Sequence, residues 1–265
     1  MTPIALTIAG SDSGGGAGIQ ADLKTFAALG VYGTSAIAAL TAQNTRGVTG
    51  IHNVPPDFVV AQVDAVFADF KVGAVKIGML STAPIINTVA AVLRRHKAKN
   101  IVVDPVMVAT SGDRLLAADA VEALRTDLIP LATVVTPNLH EAAALTGTAL
   151  AGNEDEMARQ ARQILTLGPR HVLIKGGHGE TADAVDLLVD DHEVIRLSAP
   201  RIFTKNTHGT GCTLSSAIAA GLAKGQSLTD AVRGAKAYVT AAIAAADRVP
   251  VGHGHGPLHH FHAYW

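Results

Sequence analysis

Apolar residues fall in short runs along this chain: Ala5 to Ala9, Ser35 to Leu40, Val75 to Leu80, Ile101 to Val108, Thr133 to Thr136, His171 to Ile174 and Ala184 to Val189. Between most of them lie stretches with apolar positions three and four apart, such as Phe58 to Phe67, Ile85 to Leu93, Ala118 to Leu128 and Met157 to Leu167. A short apolar run marks a strand buried on both faces, and three-four spacing marks a helix with one apolar side. Their alternation predicts an α/β fold with a mainly parallel central sheet and helices on both faces. Right-handed crossovers then bring the C-terminal ends of the strands to one edge, where ligands of open sheets bind. Gly10, Gln43, Met79, Asn138 and Lys175 end or follow successive runs and Asp104 lies within the fourth, so candidate chemistry collects at that edge. From Cys212 to Ala246 the pattern predicts two alanine-rich helices broken near Gly225.

Composition narrows the class. A chain of 265 residues fits one large domain, 1–265, and a domain of this size buries roughly 75% of its unfolded surface. Apolar residues make up 48% of the chain and aromatics only 4%, the bias expected of a sheet packed on both faces with small aliphatic side chains. With 21 basic and 22 acidic residues spread throughout, there is no basic stripe, which argues against a nucleic-acid partner. The apolar runs are too short and too often interrupted to span a membrane. A start of Met-Thr-Pro-Ile-Ala-Leu lacks a secretory signal, and a single cysteine excludes an intrachain disulfide; both predict a cytoplasmic protein.

The most specific chemical signal is Asn-Thr-His-Gly-Thr-Gly-Cys at 206–212, running into a small-residue helical stretch. Gly209 and Gly211 can take backbone angles closed to other residues, so the amides of Gly209, Thr210 and Gly211 can converge. The helix beginning near Cys212 adds the positive end of its dipole. Such a turn is an anion cradle whose natural guest is a phosphoryl group; a plain tight turn with a buried cysteine is the alternative. No P-loop signature occurs, so a phosphate site here belongs to another architecture. Lys175 precedes Gly176 and Gly177 and can reach a phosphate or simply meet solvent. Asn138 and Glu141 stand three apart after a strand, a spacing that serves equally for a polar pair facing a pocket and for a helix-capping box. Histidines 253, 255, 259, 260 and 262 crowd the C-terminus, but without cysteine or acidic partners they read as an ordered tail rather than a zinc site.

Three further segments, IAGSDSGGGAGIQADL at 8–23, VVTPNLHE at 134–141 and VLIKGGH at 172–178, join NTHGTGC in a set that makes the chain recognisable. It resembles the ribokinase-like superfamily, and within it the bacterial hydroxymethylpyrimidine/phosphomethylpyrimidine kinases of thiamine synthesis. The likeness runs from Ala5 to the Gly-Pro-Leu-His-His-Phe-His ending. It implies a three-layer α/β/α fold, a homodimer, and ATP with Mg2+ as cofactors. The implied reaction is phosphorylation of 4-amino-5-hydroxymethyl-2-methylpyrimidine and then of its monophosphate.

By the same resemblance, Asn138 and Glu141 organise magnesium and its waters, and Lys175 contacts phosphates. Gln43 meets the pyrimidine, with Met79 and Val106 lining the ring. Gly10 and the 13–18 loop let the backbone approach that ring, and Asp22 adds a polar contact. An amide suits an aminopyrimidine because it offers both an acceptor and donors. Cys212 falls where many ribokinase-like kinases carry an aspartate base; it could serve as a thiolate base, orient the hydroxymethyl group, or be a structural thiol. Related pyridoxal kinases, the main alternative, share the THGxGC turn but lack the Gln43-Asn44 pair, which therefore favours the pyrimidine. A non-catalytic vitamin-binding sensor is another. A dinucleotide-dependent oxidoreductase is disfavoured, because Gly14, Gly15, Gly16 and Gly18 do not give the required glycine spacing and no acidic residue closes the second strand.

Overall fold

A computed structural model describes residues 1–107, 119–177 and 183–265. Val108, Ala118 and His178, which end or open three of the segments read from the sequence, lie outside the described residues. The expected parallel runs form β1 (Ile4–Gly10), β2 (Tyr32–Asn44), β4 (Ala74–Ile77), β5 (Ile101–Val103), β6 (Val134–Val135) and β7 (Val172–Lys175). Two further strands carry no strong apolar signal: β3 (Gly47–Asn53) and β9 (Val194–Pro200), which flank the sheet, with β8 (Asp183–Val189) next to β9. The order is β3-β2-β1-β4-β5-β6-β7-β8-β9, with β3, β8 and β9 paired antiparallel to their neighbours and the middle parallel.

Within the parallel strands, alternate residues serve opposite cores, as the two-residue repeat of a strand dictates. Leu6, Ile8, Val75, Ile77, Val103, Val135 and Ile174 pack under α2 (Pro56–Asp69), α3 (Ala83–Arg95), α5 (Leu139–Thr146) and α6 (Glu154–Leu165). Ala5, Ala74, Val102, Val134 and Leu173 face α1 (Gly18–Ala28), α7 (Thr210–Ala223) and α8 (Leu228–Ala244). Between β5 and β6 the helix expected up to Leu128 is only partly α-helical. After α4 (Ala120–Ala123) come a π-helical turn, Leu124–Leu128, and a 3-10 turn, Ile129–Leu131. Pro130, which has no N–H to offer the preceding turn, accompanies that break.

Strand order reverses at β1, whose neighbours β2 and β4 are reached by connections on opposite sides of the sheet. A crevice therefore opens at the C-terminal ends of β1 and β4, the place where ligands of doubly wound sheets bind. Gly10, Met79 and the start of α7 meet there.

Candidate active site

The wall of this crevice begins where Gly10 lies against the end of the Met79 side chain. Gly10 donates from its N–H to the Met79 carbonyl at 3.1 Å, and a Cβ on Gly10 would lie 2.5 Å from Met79 Cε. The following loop is organised by Asp12, whose carboxylate accepts from the amides of Gly14 (2.8 Å), Gly16 (3.0 Å) and Ala17 (2.8 Å), and from His208 Nε2 (2.8 Å). Burial opposes ionisation of Asp12, but His208 and these amides hold its carboxyl below the usual range. Ser13 fastens the loop to β2: its hydroxyl donates to the Gln43 carbonyl (2.7 Å) and accepts from the Gln43 N–H (2.8 Å). A bulge between Ala42 and Gln43 breaks the β2–β3 register beside this anchor. Asn44, by contrast, caps a turn, accepting from Arg46 N at 2.8 Å on the exposed side.

The cradle forms as a left-handed glycine followed by a helix. Gly209 has φ +82° and caps α7, so the helix starts at Thr210, two residues before the expected position near Cys212. Thr210 N–H bonds back to Thr207 O at 3.2 Å. The amides of Gly211 and Cys212, in the first helical turn, have no acceptor within the helix and so are available to an anion. A Cβ on Gly211 would sit 3.2 Å from Lys175 Nζ and 3.5 Å from Asp104 Oδ2, so the cradle opens directly onto that pair.

Lys175 Nζ donates to Asp104 Oδ1 at 2.8 Å and stands 3.8 Å from Glu141 Oε2. Burial works against its charge, yet Asp104 and Glu141 keep it firmly protonated. Burial pushes Glu141 up to about 7, against the pull of Lys175. Both readings of the Asn138/Glu141 spacing bear on the result. The capping box is present, with Glu141 N donating to Asn138 Oδ1 (2.9 Å) and Asn138 N to Glu141 Oε2 (2.8 Å), and the pair also lines the cavity. Among the described residues no three acidic, histidine or cysteine side chains converge as a metal cage. Magnesium does not need one, because it keeps most of its waters and takes one or two carboxylates plus phosphate oxygens. A buried carboxylate that resists ionisation alone fits such a cation.

Gly10, Gln43, Met79, Val106, Asn138, Glu141, Lys175, Gly209, Thr210, Gly211 and Cys212 all line one cavity of about 1020 Å³. Asp22 does not, and the expectation that it touches substrate is corrected. It is fully buried on α1, where both its carboxylate oxygens accept from Lys76 Nζ (2.8 Å each), Oδ2 from Thr7 Oγ1 (2.6 Å) and Oδ1 from Ser216 Oγ (2.6 Å). Its lone pairs are committed beneath the site. Of the three roles open to Cys212, the thiolate base is disfavoured in the ligand-free state. The half-buried thiol is pushed up to about 11 by burial, which outweighs the help of Lys76 and of the Gly18 amide.

Two site residues noted in the sequence were given no role there. Asp104 was placed within a strand; it follows β5 and joins Lys175, Thr136 (3.3 Å) and Ser215 (3.4 Å). An acidic residue at the end of Ile-Val-Val was the available signal. His208, inside the cradle motif, ties that motif to Asp12 of the first glycine loop. Two of the tail histidines have structural partners: His260 Nε2 is 3.0 Å from Thr213 Oγ1, and His259 Nε2 is 2.6 Å from Trp265 O.

A model of the phosphomethylpyrimidine kinase family matches residues 12–259, almost the whole chain and most of this cavity. The chain belongs to that family. It is 63% identical over its full length to a hydroxymethylpyrimidine/phosphomethylpyrimidine kinase of Rhizobium meliloti, of which it covers 99%. It is 55% identical over 96% of its length to a thiamine biosynthesis bifunctional protein of Geobacter sulfurreducens, spanning 51% of that longer protein. Among solved structures, an ADP complex of Bacillus subtilis pyridoxal kinase superposes with a TM-score of 0.90 at 40% identity, covering 98% of each chain. The three-layer ribokinase-like fold expected from the sequence is thereby shown.

Proposed function

We infer that this protein is a hydroxymethylpyrimidine/phosphomethylpyrimidine kinase of thiamine biosynthesis, transferring phosphoryl groups from ATP to 4-amino-5-hydroxymethyl-2-methylpyrimidine and to its monophosphate. One observation carries the reading at the site: a phosphate cradle at Gly209–Cys212, backed by Lys175, shares a cavity with an amide, Gln43, suited to an aminopyrimidine. Phosphoryl transfer needs positioning and neutralisation of charge more than covalent help. Gly211 and Cys212 amides and the Lys175 ammonium meet the transferring group. Cys212, a neutral thiol at rest, orients the acceptor hydroxyl near the cradle. Gln43, Gly10, Met79 and Val106 hold the flat ring. In the second reaction a phosphate oxygen replaces the hydroxyl, so the ring moves outward by one phosphoryl unit while the cradle stays in place.

Mg2+, held through waters by Glu141 and Asn138, would neutralise the nucleotide phosphates when bound. The whole chain acts as one domain, 1–265, in keeping with the nine-stranded sheet that the described residues form. A homodimer is in keeping with the exposed apolar side chains Leu40, Ile51 and Phe58 around the edge strand β3. No helix among the described residues is long and apolar enough to cross a membrane, and we place the enzyme in the cytoplasm.

Pyridoxal kinase is the second reading, favoured by the similarity to the Bacillus subtilis structure. The higher identity to the pyrimidine kinase weighs against it. Steady-state kinetics on the pyrimidine alcohol, its monophosphate and pyridoxal decide between them. The expected outcome is a kcat/KM at least about tenfold higher for both pyrimidines, a difference of about 1.4 kcal/mol in transition-state binding; preference for pyridoxal would overturn the assignment.

A further inference from the structure

The Gln43 side chain sits between Thr41 and His208, and these two neighbours determine which end of its amide faces the substrate. An amide's oxygen and nitrogen ends have nearly the same shape, so its orientation follows from the protons around it. Thr41 Oγ1 lies 2.8 Å from the Ser11 carbonyl and 3.1 Å from the Gln43 amide. A hydroxyl has one proton, and a carbonyl can only accept. The proton therefore goes to Ser11, and Thr41 turns a lone pair toward Gln43, which calls for the NH2 end.

The other side gives the same answer independently. His208 Nε2 is 2.8 Å from Asp12 Oδ2 and 3.5 Å from the second polar atom of the Gln43 amide. Asp12 is ionised and accepts from three backbone amides, so His208 must carry its proton on Nε2 and donate it. That N–H sets itself against an NH2 group and accommodates an oxygen. Both contacts thus favour a half-turn of the amide from the arrangement with Oε1 beside Thr41, leaving the carbonyl oxygen toward His208 and the cavity.

We propose that Thr41 is a specificity-determining positioning residue: with its proton committed to Ser11, it orients Gln43 so that the site selects flat heteroaromatic alcohols bearing an amino donor over those bearing an oxygen at that place. The proposal rests on the kinase reading above and adds the source of its selectivity. The second Gln43 N–H remains free to donate to a ring nitrogen beside the amino group. A 4-oxo analogue of the pyrimidine presents the reverse pattern, an oxygen acceptor beside a ring N–H, and meets like against like at both positions.

The test uses the full chain as wild type, Thr41→Val and Thr41→Ser, with 4-amino-5-hydroxymethyl-2-methylpyrimidine and its 4-oxo analogue as acceptors. Wild type is expected to bind the amino compound about tenfold or more tightly, since buried polar groups left facing their like are costly. Thr41→Val frees the amide to turn either way, so that preference should fall by about three- to tenfold through the KM values, with kcat and the KM for ATP within about twofold. Thr41→Ser, which keeps the hydroxyl, should restore it. A valine variant that retains the wild-type preference, or that loses equally on both acceptors, overturns the proposal. Should the valine variant fail to fold, competition binding on wild type alone still decides, because equal affinity for the two analogues also overturns it. If wild type phosphorylates the amino compound, the kinase reading stands whichever way the selectivity falls; if it phosphorylates neither, that reading fails and this proposal with it.

Discussion

Two lysine–aspartate pairs lie within the same region of the sheet and differ in one respect that separates framework from site. Lys76 and Asp22 are both completely inaccessible, and Asp22 also accepts from Thr7 and Ser216, so no lone pair is left to offer. Lys175 and Asp104 make the same 2.8 Å contact, but Lys175 keeps 14% of its side chain exposed to the cavity and has Glu141 at 3.8 Å as a second carboxylate. The first pair is electrically closed. The second is open, with two carboxylates against one ammonium and a cradle of amides alongside, and it can be completed by a bound phosphate and its cation. A charged pair in a pocket wall marks a site when its hydrogen-bonding capacity is not already spent.

The sharpest way to break this comparison is to remove each lysine in turn. Lys76→Met leaves Asp22 buried without a counter-charge, and loss of one partner from a fully buried pair costs about 3–5 kcal/mol. Denaturant unfolding should show a loss of that size, or no folded protein at all. Lys175→Met should cost less stability, because the cavity admits water and Glu141, already inclined to hold a proton, can relieve the remaining charge. Its effect belongs in turnover instead, a fall in kcat of roughly a hundredfold, the scale found when one charge-stabilising group is removed from a preorganised site. If the two variants lose similar stability, the distinction between closed and open pairs fails.

How much of this could be read from the chain depends on the distance over which each feature is specified. The parallel strands were legible because runs such as Ile101 to Val103 are buried on both faces and therefore uniformly apolar. Strand β3 was not, since Gly47 and Gly50 interrupt it and most of its residues are exposed at the sheet edge. The cradle was legible because glycine spacing and the helix that follows are local. Asp104 and Lys175 are 71 residues apart and meet only through the order β5-β6-β7, which no local pattern states. Asp22 was misassigned for the same reason. Its neighbourhood in sequence is a glycine-rich binding loop, while its partner Lys76 arrives from β4, 54 residues on. His208 could be read as part of a turn, but its bond to Asp12 spans 196 residues.

The smallest expected effect sharpens the account of the open pair. Glu141 is pushed up to about 7 by burial in the nucleotide-free protein, so its carboxyl is largely neutral below that pH and ionised above it. Holding a magnesium–nucleotide complex requires the ionised form, and kcat/KM reports groups of the free enzyme. A plot of kcat/KM for ATP against pH should therefore rise through about 7 and level off on the alkaline side. Glu141→Gln cannot titrate and should lower the plateau while removing this limb. The stability signature has the opposite sense. A folded pKa above the ordinary carboxyl value gives a contribution that is complete at low pH and is lost as pH rises through about 7, since ionisation is then forced in a buried place. Between about pH 5 and about pH 8 the unfolding free energy of Glu141→Gln should thus gain on that of wild type. The glutamine can still accept the Asn138 N–H, so the helix cap survives and does not confuse the comparison. A rate limb that persists in the variant would assign the ionisation elsewhere, and a pH-independent stability difference would show that Glu141 is already ionised in the folded protein.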